Sequence, residues 1–206
     1  DPLTATYGAL ARGTALLGLA RASEAADAFV ACRRLAEEQG RADLVAEALL
    51  ELAEATRRFG NVSRCLQSTQ EARKLLRVGG ALTSVARADM LDAFVRLDMG
   101  QLGEAEPLFL ALGDDESQTT PIAARIQLGL LLVQRELGHI ERVSEDLGRL
   151  LEAVSDEDIS LRLEIAYHLA KACRDSGQVR KAMEAIRIAE RLVRQSGVSR
   201  MRILVA

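Results

Sequence analysis

Apolar residues recur along this chain in steps of three and four, separated by polar positions. The last fifth shows the pattern: Leu161, Ile165, Leu169 and Cys173 precede Gly177, and Val179, Ala182, Met183, Ile186, Ala189 and Val193 follow it. Such steps put each set on one face of a helix, and the short connection at the glycine brings the two faces together. The predicted unit is a helical hairpin. No stretch carries sustained two-residue alternation bounded by turn pairs, so no strand is expected.

The hairpin repeats. Glycines stand at Gly60, Gly100, Gly138 and Gly177, at intervals of 40, 38 and 39 residues. Five residues after them come Cys65, Ala105, Val143 and Ala182, and four beyond those Thr69, Phe109, Leu147 and Ile186. The same interval before Gly60 reaches Ala20, with Ala25 and Phe29 at the matching offsets. Five copies fit, at approximately 4–40, 44–80, 84–115, 120–155 and 158–197, as a single solenoid over 1–206. Residues 198–206 are expected to start a capping helix or a further repeat. Thr120 before Pro121 reads as an N-cap with a first-turn proline, and Ser155 with Asp158 resembles a capping box. Gly40, Gly79, Gly80 and Gly197 mark the other helix ends. Pro107 is expected in the first turn of its helix, where amide hydrogens have no intrahelical partner.

Composition narrows the function. The 206 residues are 49% apolar, 28% charged and 3% aromatic, with a formal net charge of −3, which excludes a membrane-spanning, disordered or disulfide-stapled chain. Cys32, Cys65 and Cys173 cannot all pair and have no C-x-x-C spacing, so buried thiols in a reducing, cytoplasmic compartment are expected. A first residue of Asp1 rather than Met suggests a fragment or processed product. Charge is uneven: residues 101–160 hold four basic against thirteen acidic groups, and residues from 163 onward nine against four. Arg180, Arg187, Arg191 and Arg194 recur at helical spacing, but no aromatics interleave for base stacking, so a solvated face is expected rather than nucleic-acid binding.

Catalytic chemistry is not visible. His139 and His168 lack metal-ligand neighbours, and no glycine cluster has phosphate-loop spacing. The acidic runs Asp114, Asp115, Glu116 and Asp156, Glu157, Asp158 lack the alternating ligands and central glycine of a calcium loop. No enzyme activity, cofactor or metal is expected.

The repeat resembles the tetratricopeptide repeat family, whose pattern is a small residue midway along the first helix, glycine at the turn, then alanine, a large residue and alanine. The small position reads Gly13, Ala53, Ala93, Leu131 and Ala170, and the last reads Cys32, Ala72, Leu112, Leu150 and Ala189. The resemblance implies an all-α, right-handed superhelical solenoid of about five antiparallel hairpins. The period near 40 is similar to the long-repeat variety of bacterial multi-domain regulators, including transcription activators of the maltose-regulator type. That likeness implies a non-catalytic protein-interaction module within a larger regulatory or signalling protein, or alternatively a sensory segment that receives a small ligand or partner.

A stack of rotated hairpins makes a groove lined by each first helix. Repeat alignment assigns to it Arg57, Arg87, Met90, Phe94, Arg125, Leu128, Leu132, Arg135, Tyr167, Lys171 and Arg174. An apolar strip edged by arginines suits a peptide or an amphipathic helix with acidic flanks. No membrane partner is expected, and self-association stays open. Asn61 is the sole asparagine, which excludes a clamp of paired Lys and Asn for chaperone carboxylates.

Overall fold

The structure, a computed structural model, describes residues 1–19, 21–79, 82–114 and 120–195. Those residues form ten helices and no strand: α1 (Pro2–Gly18), α2 (Ala22–Glu38), α3 (Ala42–Arg58), α4 (Val62–Gly79), α5 (Leu82–Asp98), α6 (Leu102–Gly113), α7 (Thr120–Glu136), α8 (Ile140–Ala153), α9 (Ile159–Asp175) and α10 (Val179–Gln195). The predicted all-α hairpin architecture is what the chain adopts.

The helices fall into two compact units, Asp1–Gln101 with α1 to α5 and Leu102–Ala206 with α6 to α10. Within the first, each helix packs on the next, and α3 also touches both α1 and α5. Within the second, the succession runs from α6 to α10, and α7 also touches α9.

One turn geometry recurs. At Gly60, with φ of +82°, the Gly60 amide donates to the Arg57 carbonyl and the Asn61 amide to the Thr56 carbonyl, both at 2.9 Å. This pair of bonds satisfies two orphan carbonyls and needs a left-handed residue, which glycine adopts without a side-chain clash. The same pair closes the chain at Gly40, Gly100, Gly138 and Gly177. The first hairpin has no glycine at its turn but retains the outer bond, from the Arg21 amide to the Leu16 carbonyl at 2.9 Å.

Packing follows from the order of helices. Because α3 is flanked by α2 and α4 and also touches α1 and α5, it buries residues almost all round, from Leu44 through Leu49, Leu50 and Ala53 to Thr56. Close approach is set by glycine against phenylalanine. A Cβ on Gly13 would lie 2.4 Å from the fully buried ring of Phe29, and one on Gly129 would lie 2.3 Å from that of Phe109. Gly129, rather than Leu131, is thus the residue that makes room in the fourth repeat, and Leu131 is itself buried.

Three local expectations change. Helix α6 starts at Leu102, directly after the Gly100 turn, so Pro107 is its sixth residue and lies beyond the first turn. Its missing amide leaves the Gly103 carbonyl without the usual donor four residues on. Asp158 is the N-cap of α9, accepting from the Leu161 amide at 3.0 Å, while Ser155 Oγ accepts from the Glu157 amide. The cap thus lies three residues later than the predicted box, because the intervening residues form a turn of their own. Helix α7 begins at Thr120 itself. Ala20, Gly80, Asp115, Glu116, Gly197, Arg200, Arg202 and the capping segment 198–206 lie outside the described residues.

Candidate functional site

The expected groove residues sit on the odd-numbered helices: Arg57 on α3, Arg87, Met90 and Phe94 on α5, Arg125, Leu128, Leu132 and Arg135 on α7, and Tyr167, Lys171 and Arg174 on α9. The aliphatic and aromatic members divide sharply. Met90, Phe94, Leu128 and Leu132 are all buried, at 6% exposure or less, so the chain's own interior takes up the apolar strip. Tyr167 is 51% exposed.

In the first unit the arginines are matched to carboxylates one repeat away. Arg87 donates to Glu47 at 2.9 Å and to Glu51 at 2.5 Å, bridging α5 to α3. Burial works against its charge, yet the two carboxylates outweigh that and hold its pKa above the ordinary arginine value. Arg57 donates to Glu54 and to Asp98, both at 3.4 Å, with its guanidinium 5.0 Å above the Phe94 ring. Phe94 is therefore the buried underside of a cation–π contact. Burial raises the Asp98 pKa, against the pull of Arg57. On the even helices Arg33 reaches Glu71, and Arg73 of α4 reaches Asp89 and Asp92 of α5. These pairings join helices roughly one repeat apart, or neighbours in the stack, and fix hairpin register.

The second unit is less evenly matched. Arg125 lies 3.7 Å from Glu164 across α7 and α9. Arg135, 9% exposed, pairs with Glu136 and donates to His168 Nδ1 at 3.3 Å. A guanidinium can only donate, so in this contact the His168 Nδ1 is the acceptor. Tyr167 meets the His168 ring edge-on at 5.1 Å. Lys171 and Arg174 follow Tyr167 at spacings of four and seven, on one helix face. Arg174 pairs only with its neighbour Asp175, at 3.0 Å, and Lys171 has no carboxylate within ion-pair distance among the described residues.

Elsewhere, no group of three or more His, Cys, Asp or Glu side chains is placed to hold a metal ion among the described residues. His139 occupies the N-cap position of α8 without a side-chain capping bond. All three thiols are free and buried, and burial pushes each upward, Cys65 to about 11. The exposed face of α10 is laced along its own length, Arg180 to Glu184 and Arg194 to Glu190. A hollow of about 440 Å³ there is lined by α10 alone, from Glu184 to Arg194. No described helix is long and apolar enough to cross a membrane.

Sequence reasoning missed Glu47, Glu51 and Asp98 as the groups that engage the candidate arginines. The spacings of about 40 between Glu47 and Arg87 and between Arg57 and Asp98 were the available signal.

No protein-family model matches the chain, and no curated protein matches it. Solved structures do. A Rap protein complexed with competence and sporulation factor is 13% identical, with a TM-score of 0.78 over 96% of this chain and 56% of that one. The Rap conjugation gene regulator of plasmid pLS20, in complex with the Phr* peptide, is 15% identical, with a TM-score of 0.80 over 95% and 55%. A putative kinesin light chain from Podosopora anserina, built of nearly identical TPR-like repeats, is 17% identical, with a TM-score of 0.56 over 98% and 99%. The chain spans a little over half the length of the two Rap proteins. Its fold is that of TPR-like helical-repeat proteins.

Proposed function

We propose that the chain is a non-catalytic interaction module of a larger bacterial regulatory or signalling protein in the cytoplasm, binding a peptide or helix with acidic flanks on the exposed face of α9. One observation carries this reading. On α9 an exposed tyrosine is followed on the same face by Lys171, which has no carboxylate within ion-pair distance among the described residues, and by Arg174, which pairs only with its chain neighbour Asp175. Tyrosine and arginine are among the residues that most often carry binding energy at protein interfaces. In the first unit, by contrast, Arg57 and Arg87 are engaged by the chain's own carboxylates.

A second reading, an effector-receiving segment of a regulator, draws support from the likeness to two Rap structures that hold a signalling factor or peptide. The readings differ in ligand size. Peptides selected from a random display library against the chain should be enriched in acidic residues. Tyr167→Ala with Lys171→Glu should weaken them about tenfold, or about 1.4 kcal/mol, with helicity intact. Unchanged affinity would count against the α9 face. A small effector would instead appear in a metabolite thermal-shift screen, since a ligand at 100 times its Kd adds about 2.7 kcal/mol.

A further inference from the structure

Each even-numbered helix before α10 is covered by the helix that follows it: α3 packs on α2, α5 on α4, α7 on α6 and α9 on α8. No described helix follows α10 to cover it. Counted from the turns, Val179 takes the place of Ala22, Val62, Leu102 and Ile140, which are half-buried, yet it is 69% exposed. Met183 takes the place of Ala26 and Ser144, 3% and 4% exposed, and is itself 49% exposed. Ile186 takes the place of Phe29, Thr69, Phe109 and Leu147, none exposed by more than 1%, and is only half-buried. These three share one face of α10 with Glu190, at steps of four, three and four, so their spacing is that of the helix itself. The chain also shows what covers such a face. Ala22 and Ala26 pack in one cluster with Leu52 and Ala55 of α3, and Val62 and Leu66 in another with Leu91 and Val95 of α5.

The complementary face is on α1. Helices α1, α3 and α5 start at residues 2, 42 and 82, so Gly8, Arg12 and Ala15 stand where α3 has Ala48, Leu52 and Ala55 and α5 has Ala88, Asp92 and Val95. The apolar counterparts are buried, at 3% exposure or less, whereas Gly8, Arg12 and Ala15 are exposed and a Cβ on Gly8 would meet nothing within 4 Å. Charge then matches the two faces. Where α5 lies on α4, Arg73 donates to Asp92 at 3.2 Å. Glu190 holds the place of Arg73 and Arg12 that of Asp92, so the same register sets this pair opposite with its signs exchanged. Among the described residues Arg12 has no carboxylate within ion-pair distance, and Glu190 has only Arg194 of its own helix, at 3.5 Å. Size follows the same exchange. One turn from that pair, Thr69 and Val95 become Ile186 and Ala15, a large side chain on α10 against a small one on α1. We infer that α1 of a second copy of the chain docks on α10, antiparallel to it, with Arg12 against Glu190. The contact joins two different patches and so links copies head to tail.

Sedimentation velocity of the whole chain, from micromolar to submillimolar concentration, should show reversible, concentration-dependent association. Met183→Asp, which closes the α10 face, and Gly8→Glu, which closes the α1 face, should each weaken it by about tenfold or more. Circular dichroism should show unchanged helicity, because both positions are exposed. Mixed in equal amounts, the two variants should form a dimer that grows no further, since each supplies the face the other lacks. If either variant unfolds, the charges provide the test: Arg12→Glu should weaken association about tenfold, and Arg12→Glu with Glu190→Arg in one chain should restore it to within about threefold. A monomer at every concentration, as expected if residues 196–206 cover α10 instead, overturns the assignment. So does a mixture that forms no dimer, or association that survives Gly8→Glu but not Met183→Asp, which would pair α10 with α10.

Discussion

Two glycine–phenylalanine contacts set how closely the helices pack. Gly13 and Phe29 fill one slot between α1 and α2, and a methyl group at Gly13 would overlap the ring. Gly13→Ala should therefore cost about 1–3 kcal/mol in urea denaturation despite alanine's better helix propensity, and most of that cost should vanish in a Phe29→Leu background. Cys65 provides a second test at this scale. Burial lifts its thiol from 9.0 to about 11, so between those values the unfolded chain ionises while the folded one does not. Stability should be unaffected by this group below about pH 9 and fall by up to about 2–3 kcal/mol as pH rises toward 11. Cys65→Ala should flatten that decline. The candidate site was only partly legible residue by residue. The periodicity placed Met90, Phe94, Leu128 and Leu132 on the first helices of their hairpins, α5 and α7. It could not show them buried, because a first helix is enclosed by several neighbours and apolar residues on more than one face become core.

Hairpins and their turns were the most legible features, since a glycine with positive φ recurring near every fortieth residue carries its geometry in its identity. Helix starts were less so. Asp158 and Ser155 both suit a cap, and only the turn between them decides which residue serves. Pro107 in α6 is a local conflict that the packing overrides. Pro107→Ala should restore an amide bond to Gly103 and raise Tm by roughly 2–4 °C per kcal/mol regained, readable by calorimetry. The arginine pairings were not legible as contacts, because they depend on register between helices far apart in sequence. Arg87 joins α5 to Glu47 and Glu51 of α3. A double-mutant cycle on Arg87→Ala and Glu51→Ala should return about 1 kcal/mol of coupling, with Glu51 the more destabilised by loss of its partner.

At the scale of the molecule, the chain combines a fold shared with TPR-like proteins and a surface with no cluster placed for metal chemistry among the described residues. In such arrays each hairpin contacts mainly its neighbours, so stability is local and recognition falls to side chains the stack leaves exposed. The central claim is that these lie on α9. Hydrogen-exchange mass spectrometry on the chain, alone and saturated with a display-selected acidic peptide, tests it most directly. The account predicts added protection centred on residues 164–175, with α7 following and α8 and α10 unchanged. Protection confined to α8 or α10, or none despite saturation, would contradict it.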